Sequence, residues 1–357
     1  MIRLPLLLMV AAAVPGTVGA LQSATDSVAT ASAPLFATQE PLRMVLRAPF
    51  DDLFRDRSDE APELPATLTY LSDAGDSVHM DLDVELRGNT RRQRSTCSFP
   101  PIRLDFPRTR VGETVFAGQN RLKLVTQCRE GREEFGQYVL LEYLTYRAFN
   151  QLTDLSFRAR LLEVTYEDTQ GKMDRITRPA FLIEDEDAVA IRNGWELLEL
   201  QQAPPEYMDQ VQLNLVEVFQ YMIGHTDWSA FQAEPDEDEC CHNVKIIGSM
   251  HGPIFPIPYD FDYAGLIDAR YAEVNERLGV RDVRDRLYRG LCRPREDLDA
   301  TLQRFNVQQA AIIQVFQEHP GLTDDSREKA IEYLDEFYEI INNPGRVERE
   351  FVRSCRD

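Results

Sequence analysis

The sequence has too little positive charge for a nucleic-acid-binding protein. Its 39 lysine and arginine residues stand against 60 aspartate and glutamate residues, which gives a formal net charge of −21 at pH 7. A surface with this balance repels nucleic acid and anionic lipid. Arg91, Arg92 and Arg94 lie close together, but they form only a local cluster. We therefore exclude nucleic acid as a partner.

Several motifs are also missing. The sequence contains no G-x-G-x-x-G and no Walker motif, so a conventional phosphate-binding loop is not supported. It contains no C-x-x-C pair, which argues against a cysteine-based zinc site. Beyond the N-terminus, no stretch is apolar enough to cross a bilayer, which needs about 20 apolar residues. We therefore expect no transmembrane segment in the mature chain.

The N-terminus has the three parts of a secretory signal peptide. Arg3 supplies the positive charge, residues 4–14 are apolar, and Val18-Gly19-Ala20 is a small-residue cleavage site. The apolar run is too short for a membrane anchor. We predict that residues 1–20 are removed, that residues 21–38 form a flexible Ser/Thr/Ala-rich lead-in, and that the protein is periplasmic or secreted.

Export makes the cysteine count informative. Six cysteines are an even number, and disulfides form in oxidising compartments. We favour a bond between Cys97 and Cys128, because both lie in the strand-rich half. Cys240 and Cys241 are expected to bond to different partners, and the remaining two cysteines, Cys292 and Cys355, are the candidates.

Hydrophobic patterning divides the mature chain into two regions. Residues 39–187 alternate apolar and polar positions and predict strands, with one helix. The strands are expected near 42–46, 67–71, 78–86, 102–106, 121–125, 160–166 and 178–183, and the helix over 133–152. Residues 188–357 predict mainly helices, including 208–222, 300–317 and 326–342. The acidic run Glu184-Asp185-Glu186-Asp187 is the predicted hinge.

Residues 222–262 contain the clearest set of functional candidates. Asp227 lies in an I-G-x-T-D stretch, Asn243 follows in a His-Asn pair, and Asp260 and Asp262 lie in a Y-D-F-D run. In order and type, these residues resemble the phosphoryl-transfer centres of the spore-coat CotH family of atypical kinases and of HipA-type kinases. The resemblance implies that Asp227 contacts the acceptor hydroxyl. It also implies that Asn243, Asp260 and, with less support, Asp262 bind a metal.

The resemblance extends upstream to about residue 80. Leu86-Arg87-Gly88-Asn89 resembles the R-G-N-S/T motif of the CotH family, and residues 121–184 follow that family's order of elements. It implies an α+β fold like that of a bilobal atypical protein kinase, with an antiparallel-sheet small lobe and a mostly helical large lobe. It also implies nucleotide contacts from Arg87, Lys123, Glu142 and Glu184, with Lys123 paired to Glu142. Arg121 competes with Lys123 for this role.

The spacing departs from the kinase pattern. Sixteen positions separate Asp227 from Asn243, whereas kinase catalytic loops place the Asn about five residues after the Asp. HipA-type proteins carry a His soon after the Asp, and this chain has Trp228-Ser229 there. Either an insertion loops out between Asp227 and Asn243, or Asn243 is not a ligand. A catalytically impaired protein is therefore one interpretation.

Each candidate also has a purely structural interpretation. Asp227 fits a helix-ending turn, Asp260 and Asp262 fit an Asp-rich turn after a strand, and Arg87 fits a structural corner. A zinc site is a further alternative, because zinc enzymes use three protein ligands. His225, His242 and His251 supply the best case, although their spacing matches no zinc motif.

Three functional hypotheses follow. The first is an exported CotH-like kinase that uses ATP and Mg²⁺ or Mn²⁺ to phosphorylate Ser or Thr hydroxyls of an exported protein. The second is a catalytically impaired pseudokinase or envelope scaffold. The third is a metal-dependent hydrolase that uses the same acidic residues.

Overall fold

The computed structural model describes residues 33–107, 111–129, 131–233 and 240–356. The predicted signal peptide and residues 21–32 of the predicted lead-in lie outside these ranges. The end of the lead-in is described, and it packs against the protein. Leu35 and Phe36 are buried in a short 3₁₀ helix, Pro34–Phe36, which differs from the flexible segment expected there.

Seven strands form a closed barrel. They are β1 (Leu42–Ala48), β2 (Leu64–Leu71), β3 (Ser77–Leu86), β4 (Ile102–Asp105), β5 (Arg121–Val125), β6 (Ala159–Asp168) and β7 (Ile176–Ile183). Their order around the barrel is β1-β2-β3-β4-β5-β7-β6. Buried and exposed positions alternate along β3, as expected for a strand with one face in a core. The parallel pairing of β1 with β6 closes the barrel, and all other barrel pairings are antiparallel.

The rest of the described chain contains a second, smaller sheet and most of the helices. The sheet has the order β10-β9-β8 and consists of β8 (Glu196–Leu197), β9 (Val244–Gly248) and β10 (Ile254–Pro258). The helices are α1 (Phe50–Leu53), α2 (Glu133–Asn150), α3 (Glu186–Arg192), α4 (Gln210–Ile223), α5 (Arg295–Gln317), α6 (Asp324–Ile341) and α7 (Pro344–Val347). Two further 3₁₀ turns, Pro205–Tyr207 and Glu276–Leu278, and a π-helical turn, Glu348–Val352, complete the described elements.

The predicted fold class is wrong. The main sheet is a closed barrel with mixed pairing, whereas a bilobal kinase-like fold was expected to have an antiparallel-sheet small lobe and a mostly helical large lobe. The error comes from pairings distant in the sequence. Local alternation identifies strands, but it does not reveal that β1 and β6 are neighbours or that β8, β9 and β10 form a sheet of their own.

Three cysteine pairs lie at bonding distance. Cys97 bonds to Cys128, as predicted. The prediction that Cys240 and Cys241 bond to different partners is wrong, since they bond to each other and leave Cys292 to pair with Cys355. Within the described ranges, no helix is both long and apolar enough to cross a membrane.

A cluster of aromatic rings joins the two central helices to the segment after β10. Phe149 on α2 lies 4.5 Å from Phe219 on α4, measured between ring centroids. Phe261 lies 5.7 Å from Phe219 and 4.7 Å from Tyr146. Since Phe261 stands between Asp260 and Asp262, this buried cluster fixes where both carboxylates emerge.

Candidate active site

Asp227 follows the end of α4. The helix stops at Gly224, which adopts a left-handed conformation with φ of 65°. A side chain there would overlap the hydroxyl of Tyr333, so both backbone and space require glycine. Gly224 O accepts a hydrogen bond from Gly265 N at 3.1 Å, which ties the end of α4 to the turn after Asp262.

Asn243 lies next to Asp227 despite the long spacing between them. Its Nδ2 atom donates to the backbone oxygen of Asp227 at 2.6 Å and faces Asp227 Oδ2 at 3.3 Å. The chain leaves this point and returns to it, since Ser229 N donates to His242 O at 2.9 Å. Asn243 is therefore adjacent to Asp227 in space although sixteen positions separate them in the sequence, and its role as a metal ligand stays a prediction.

The Asp227 carboxylate is held in its ionised form. Burial raises its pKa, but a hydrogen bond from His242 and the charges that His225, His242 and Arg289 carry in the acidic range where Asp227 titrates outweigh burial and lower it. The Nε2 atom of His242 lies 3.2 Å from Asp227 Oδ1. Asp227 is thus an ionised acceptor at neutral pH, which is the state needed to orient a hydroxyl.

Asp260 follows β10 and lies beside Asn243. Tyr259 N donates to Asn243 O at 3.0 Å, and Asp260 N donates to the hydroxyl of Tyr146 at 2.8 Å. Asp260 and Asn243 have positive φ angles of 57° and 53°, and the described residues include only one other non-glycine with positive φ, Asp268. Unusual backbone conformations concentrate at functional sites. Strand β10 ends at Pro258, so Asp260 and Asp262 lie beyond the strand.

Arg91 is the residue that joins the carboxylates, and sequence reasoning did not single it out. Its Nε atom lies 3.1 Å from Asp262 Oδ2, its Nη2 atom 3.4 Å from Asp260 Oδ1, and its Nη1 atom 3.6 Å from Glu142 Oε2. The guanidinium is buried. One cation therefore faces three carboxylates that come from α2 and from the segment after β10.

Burial and mutual repulsion shift the pKa values of two of these carboxyl groups. Burial raises the pKa of Asp262 to about 6, with the charges of Asp260 and Asp227 adding to the effect and Arg91 and a hydrogen bond from Tyr271 opposing it. Burial also raises the pKa of Glu142 well above its usual value. Asp260 is more open, with 30% of its side chain exposed.

Three basic residues gather next to the acidic cluster. Lys123 on β5 is half-buried, and its pKa is lowered by desolvation and by the charges of Arg87 and Lys245. Its Nζ atom lies 3.0 Å from Glu186 Oε2 and 5.0 Å from the ring centre of Tyr259. The Nη1 atom of Arg87 is buried without a hydrogen-bond partner in the described part of the chain. We call Arg87, Lys123 and Lys245 the basic group.

One predicted pairing is wrong. Lys123 pairs with Glu186, and Glu142, its predicted partner, faces Arg91. Arg121, the competing candidate, lies two residues before Lys123 on the outward face of β5 and contacts Glu63, Glu85 and Asp105.

The carboxylate of Glu184 is engaged in hydrogen bonds within the protein. Both of its oxygens accept from Arg192, at 3.0 and 2.9 Å, and one also accepts from the backbone nitrogen of Arg158 at 3.0 Å. With its oxygens occupied in this way, Glu184 has little capacity left for a nucleotide.

The histidines do not converge as a zinc site requires. His225 Nδ1 lies 3.0 Å from Gln220 Oε1, His242 contacts Asp227, and His251 is exposed in the turn between β9 and β10. Among the residues described by the structure, no three His, Cys, Asp or Glu side chains are arranged to hold a metal ion.

The other arginines around Arg91 stabilise the loop that carries it. Arg57 donates to the backbone oxygens of Cys97 and Ser98 at 2.8 and 3.0 Å, and Arg94 donates to those of Phe54 and Arg55 at 3.0 and 2.7 Å. This loop also lines a cavity of about 610 Å³. Because their donors are engaged with backbone oxygens, these arginines are poorly suited to bind an anion there.

A second cavity lies away from the candidate residues. It measures about 570 Å³ and lies between α2 and strands β6 and β7, with Leu140, Leu161 and Pro179 among its lining residues. None of the predicted site residues lines it. The case for the Asp227 region therefore rests on the chemistry of its residues and not on the size of a cavity.

Sequence signals existed for only some of the residues that were missed. Lys245 lies on β9, two positions after Asn243, and this closeness in the sequence to a predicted site residue is the signal that could have identified it. Arg91 had no such signal, because nothing in the local sequence distinguishes it from Arg92.

Comparison of the sequence with protein-family models and with curated proteins gives no match.

Proposed function

We propose that this chain is an exported phosphotransferase that uses ATP with Mg²⁺ or Mn²⁺ to phosphorylate Ser or Thr hydroxyls of an exported protein. One observation carries the proposal: Asp227, Asn243 and Asp260, distant in the sequence, meet beside the basic group. Because the fold is not the expected bilobal one, the argument rests on the site and on the order of its residues.

The acceptor side of the reaction would use Asp227. Its carboxylate is ionised and partly exposed, and it is held between His242 and Asn243. An ionised carboxylate at this position can accept a hydrogen bond from a substrate hydroxyl and orient it. As the hydroxyl oxygen attacks the γ-phosphorus, the bond from that phosphorus to the β–γ bridging oxygen would break, ADP would leave, and the hydroxyl proton would move to Asp227.

The nucleotide side would use the basic group. Arg87, Lys123 and Lys245 place positive charge where a polyphosphate needs neutralisation in a chain whose net charge is −21. The unpartnered Nη1 atom of Arg87 adds a donor that an anionic oxygen would satisfy. Glu186 would hold Lys123 in position.

The oxygen donors at the site fit a hard divalent cation. Asp260 and the amide oxygen of Asn243 are the ligand types that Mg²⁺ takes together with substrate phosphates. Only one oxygen of Asp260 contacts Arg91, and its side chain is partly open to solvent. A bound divalent ion supplies charge neutralisation at the transferred phosphoryl group.

Export is supported by the cysteines. Three pairs lie at bonding distance, which is typical of proteins from oxidising compartments. The predicted signal peptide agrees with this assignment.

A thermal-shift titration tests the proposal. Oxidised protein is heated with ATP, with and without Mn²⁺, beside Asp260→Asn and a matched control, Asp268→Asn. Asp268 also has a positive φ but lies outside the site. A ligand at a hundredfold excess over Kd stabilises the folded state by about 2.7 kcal/mol. We expect a metal-dependent shift in wild type and Asp268→Asn that Asp260→Asn loses. No shift with any nucleotide and metal would contradict the proposal.

A nucleotide-binding pseudoenzyme is the second candidate. It is favoured by Arg91, whose contacts with both Asp260 and Asp262 reduce their capacity to bind metal. The two candidates separate when labelled ATP is followed: the enzyme transfers the γ-phosphate to protein, and the pseudoenzyme binds ATP without transfer. The hydrolase hypothesis has less support, because no three-residue metal cage occurs among the described residues.

A further inference from the structure

The cluster around Arg91 has more negative than positive charge. Glu142, Asp260 and Asp262 face a single guanidinium, and Glu142 and Asp262 are buried with it. The Oε1 atom of Glu142 has no hydrogen-bond partner in the described ranges. Burying a polar group without a partner is costly. The cluster therefore contains more acceptor capacity than Arg91 satisfies.

The geometry around Arg91 also differs from that of an ordinary buried ion pair. An arginine commonly binds one carboxylate through two parallel hydrogen bonds. Here each guanidinium nitrogen faces a different carboxylate, at 3.1, 3.4 and 3.6 Å. Three carboxylates from two segments, α2 and the residues after β10, therefore surround one central cation. With Arg91 between them, these side chains of the described chain do not converge closely enough to hold a metal ion, and the guanidinium supplies the positive charge instead.

We infer that Arg91 is a fixed cation that takes the place of a second divalent metal ion in this site. Asp262 and Glu142 are then positioning residues that hold Arg91, and the site takes one divalent ion, on the side of Asp260 and Asn243. The single divalent ion beside Asp260 and Asn243 depends on the proposed function. The role of Arg91 as a fixed cation depends only on the geometry of its three carboxylate partners.

This inference predicts that removing Arg91 creates a metal site. In Arg91→Met, three carboxylates face a space without a cation, so the metal-free variant is expected to melt below wild type. Mn²⁺ is expected to restore most of the lost melting temperature, and the variant should bind one more Mn²⁺ per chain than wild type when titrated calorimetrically without nucleotide.

A matched control separates this effect from the loss of a buried arginine in general. Arg192→Met removes an arginine whose side chain is as buried as that of Arg91, at 8% exposure. It leaves one carboxylate, Glu184, rather than three. We expect Arg192→Met to melt at a lower temperature than wild type, and we expect Mn²⁺ not to raise that melting temperature.

A second variant keeps the test informative if Arg91→Met fails to fold. Arg91→Met combined with Glu142→Gln and Asp262→Asn removes the excess negative charge along with the cation. We expect this triple variant to fold near wild type and to bind no additional Mn²⁺. Failure of the triple variant to fold would mean that the charges hold the fold in some other way, and it would overturn the inference.

The results also separate this inference from the proposed function. An extra Mn²⁺ in Arg91→Met supports the inference even if wild type shows no ATP-dependent shift, which would reject only the phosphotransferase. If Arg91→Met binds no more Mn²⁺ than wild type, or if wild type already binds two ions, Arg91 does not replace a metal ion.

Discussion

Arg91 and Arg192 are equally buried, but their surroundings differ. Arg192 binds the single carboxylate of Glu184 through two nitrogens and also donates to the backbone oxygens of Asp154 and Ser156, at 3.0 and 2.8 Å. Arg91 is shared by three carboxylates and forms no bidentate pair. A buried ion pair with balanced charges and complete hydrogen bonding serves to stabilise the fold. A cluster with excess negative charge can, in addition, interact with a ligand. The predictions below test that difference.

The largest effect is expected from breaking the balanced pair. Arg192→Met leaves Glu184 buried and uncompensated, and removal of one partner of a buried ion pair costs about 3–5 kcal/mol. Urea denaturation measures this loss in the free energy of unfolding. Arg43→Met is the control, because the Arg43–Glu163 pair is exposed and is expected to contribute about 1 kcal/mol or less. A similar loss in both variants would contradict the comparison.

The next effect is a loss of stability in acid caused by His225. Burial lowers the pKa of His225 to about 4, against 6.5 for an unfolded histidine. Because the unfolded chain binds the proton more readily, stability is present above pH 6.5 and falls as the pH drops towards 4. From pH 7 to pH 5 the loss from this residue is about 2 kcal/mol. His225→Gln should flatten that part of the profile, and an unchanged profile would show that His225 is not buried in its neutral form.

Lys245 tests whether the cations beside the cluster serve a ligand. Removing one cation from a phosphate contact should weaken ATP binding about tenfold, equivalent to about 1.4 kcal/mol. Isothermal titration of Lys245→Met with ATP and Mn²⁺ measures the change. Lys172→Met is the control: it removes a lysine that pairs with Asp51 far from the site, so the variant should bind ATP as tightly as wild type does. Equal affinity in both variants would remove Lys245 from the proposed site.

The smallest effect is expected at Glu142. Its contact with Arg91 is the longest of the three, at 3.6 Å, and Arg91 keeps Asp260 and Asp262 as partners when Glu142 is replaced. Burial also raises the pKa of Glu142 well above its usual value, which disfavours its charged form, so the isosteric change Glu142→Gln is expected to have little effect. We expect a change in unfolding free energy of about 1 kcal/mol or less. The same substitution at Glu184, whose oxygens accept three hydrogen bonds, should cost about 1–3 kcal/mol. If the two losses were reversed in size, the distinction between the clusters would be wrong.

The sequence predicted elements better than it predicted their arrangement. β5 has the predicted ends, and α2 begins at the predicted residue, because alternation and helical periodicity are local properties. The closure of the barrel depends on the pairing of β1 with β6, which lie far apart in the sequence and which no local pattern brings together.

The site was predicted in part for the same reason. Asp227, Asn243 and Asp260 were identified by order and type, and the structure brings them together; their chemical roles stay predictions. Arg91 was not distinguished from Arg92 and Arg94, because the difference between them arises only when the loop packs against α2 and the segment after β10. Charge partners such as Glu186 for Lys123 are likewise fixed by packing.

Closure of the barrel has a consequence for how the chain is made. β1 is synthesised before the other strands of the barrel, yet its parallel partner β6 follows only after the whole of α2. Until β6 has been synthesised, one edge of β1 has no strand to pair with, and residues such as Met44 and Leu46, which are buried in the folded protein, stay exposed. Unpaired edges of this kind pair with strands of other chains. A chain truncated before β6 should therefore aggregate, and the β6–β7 hairpin marks the earliest point in synthesis at which the barrel can protect its own edge.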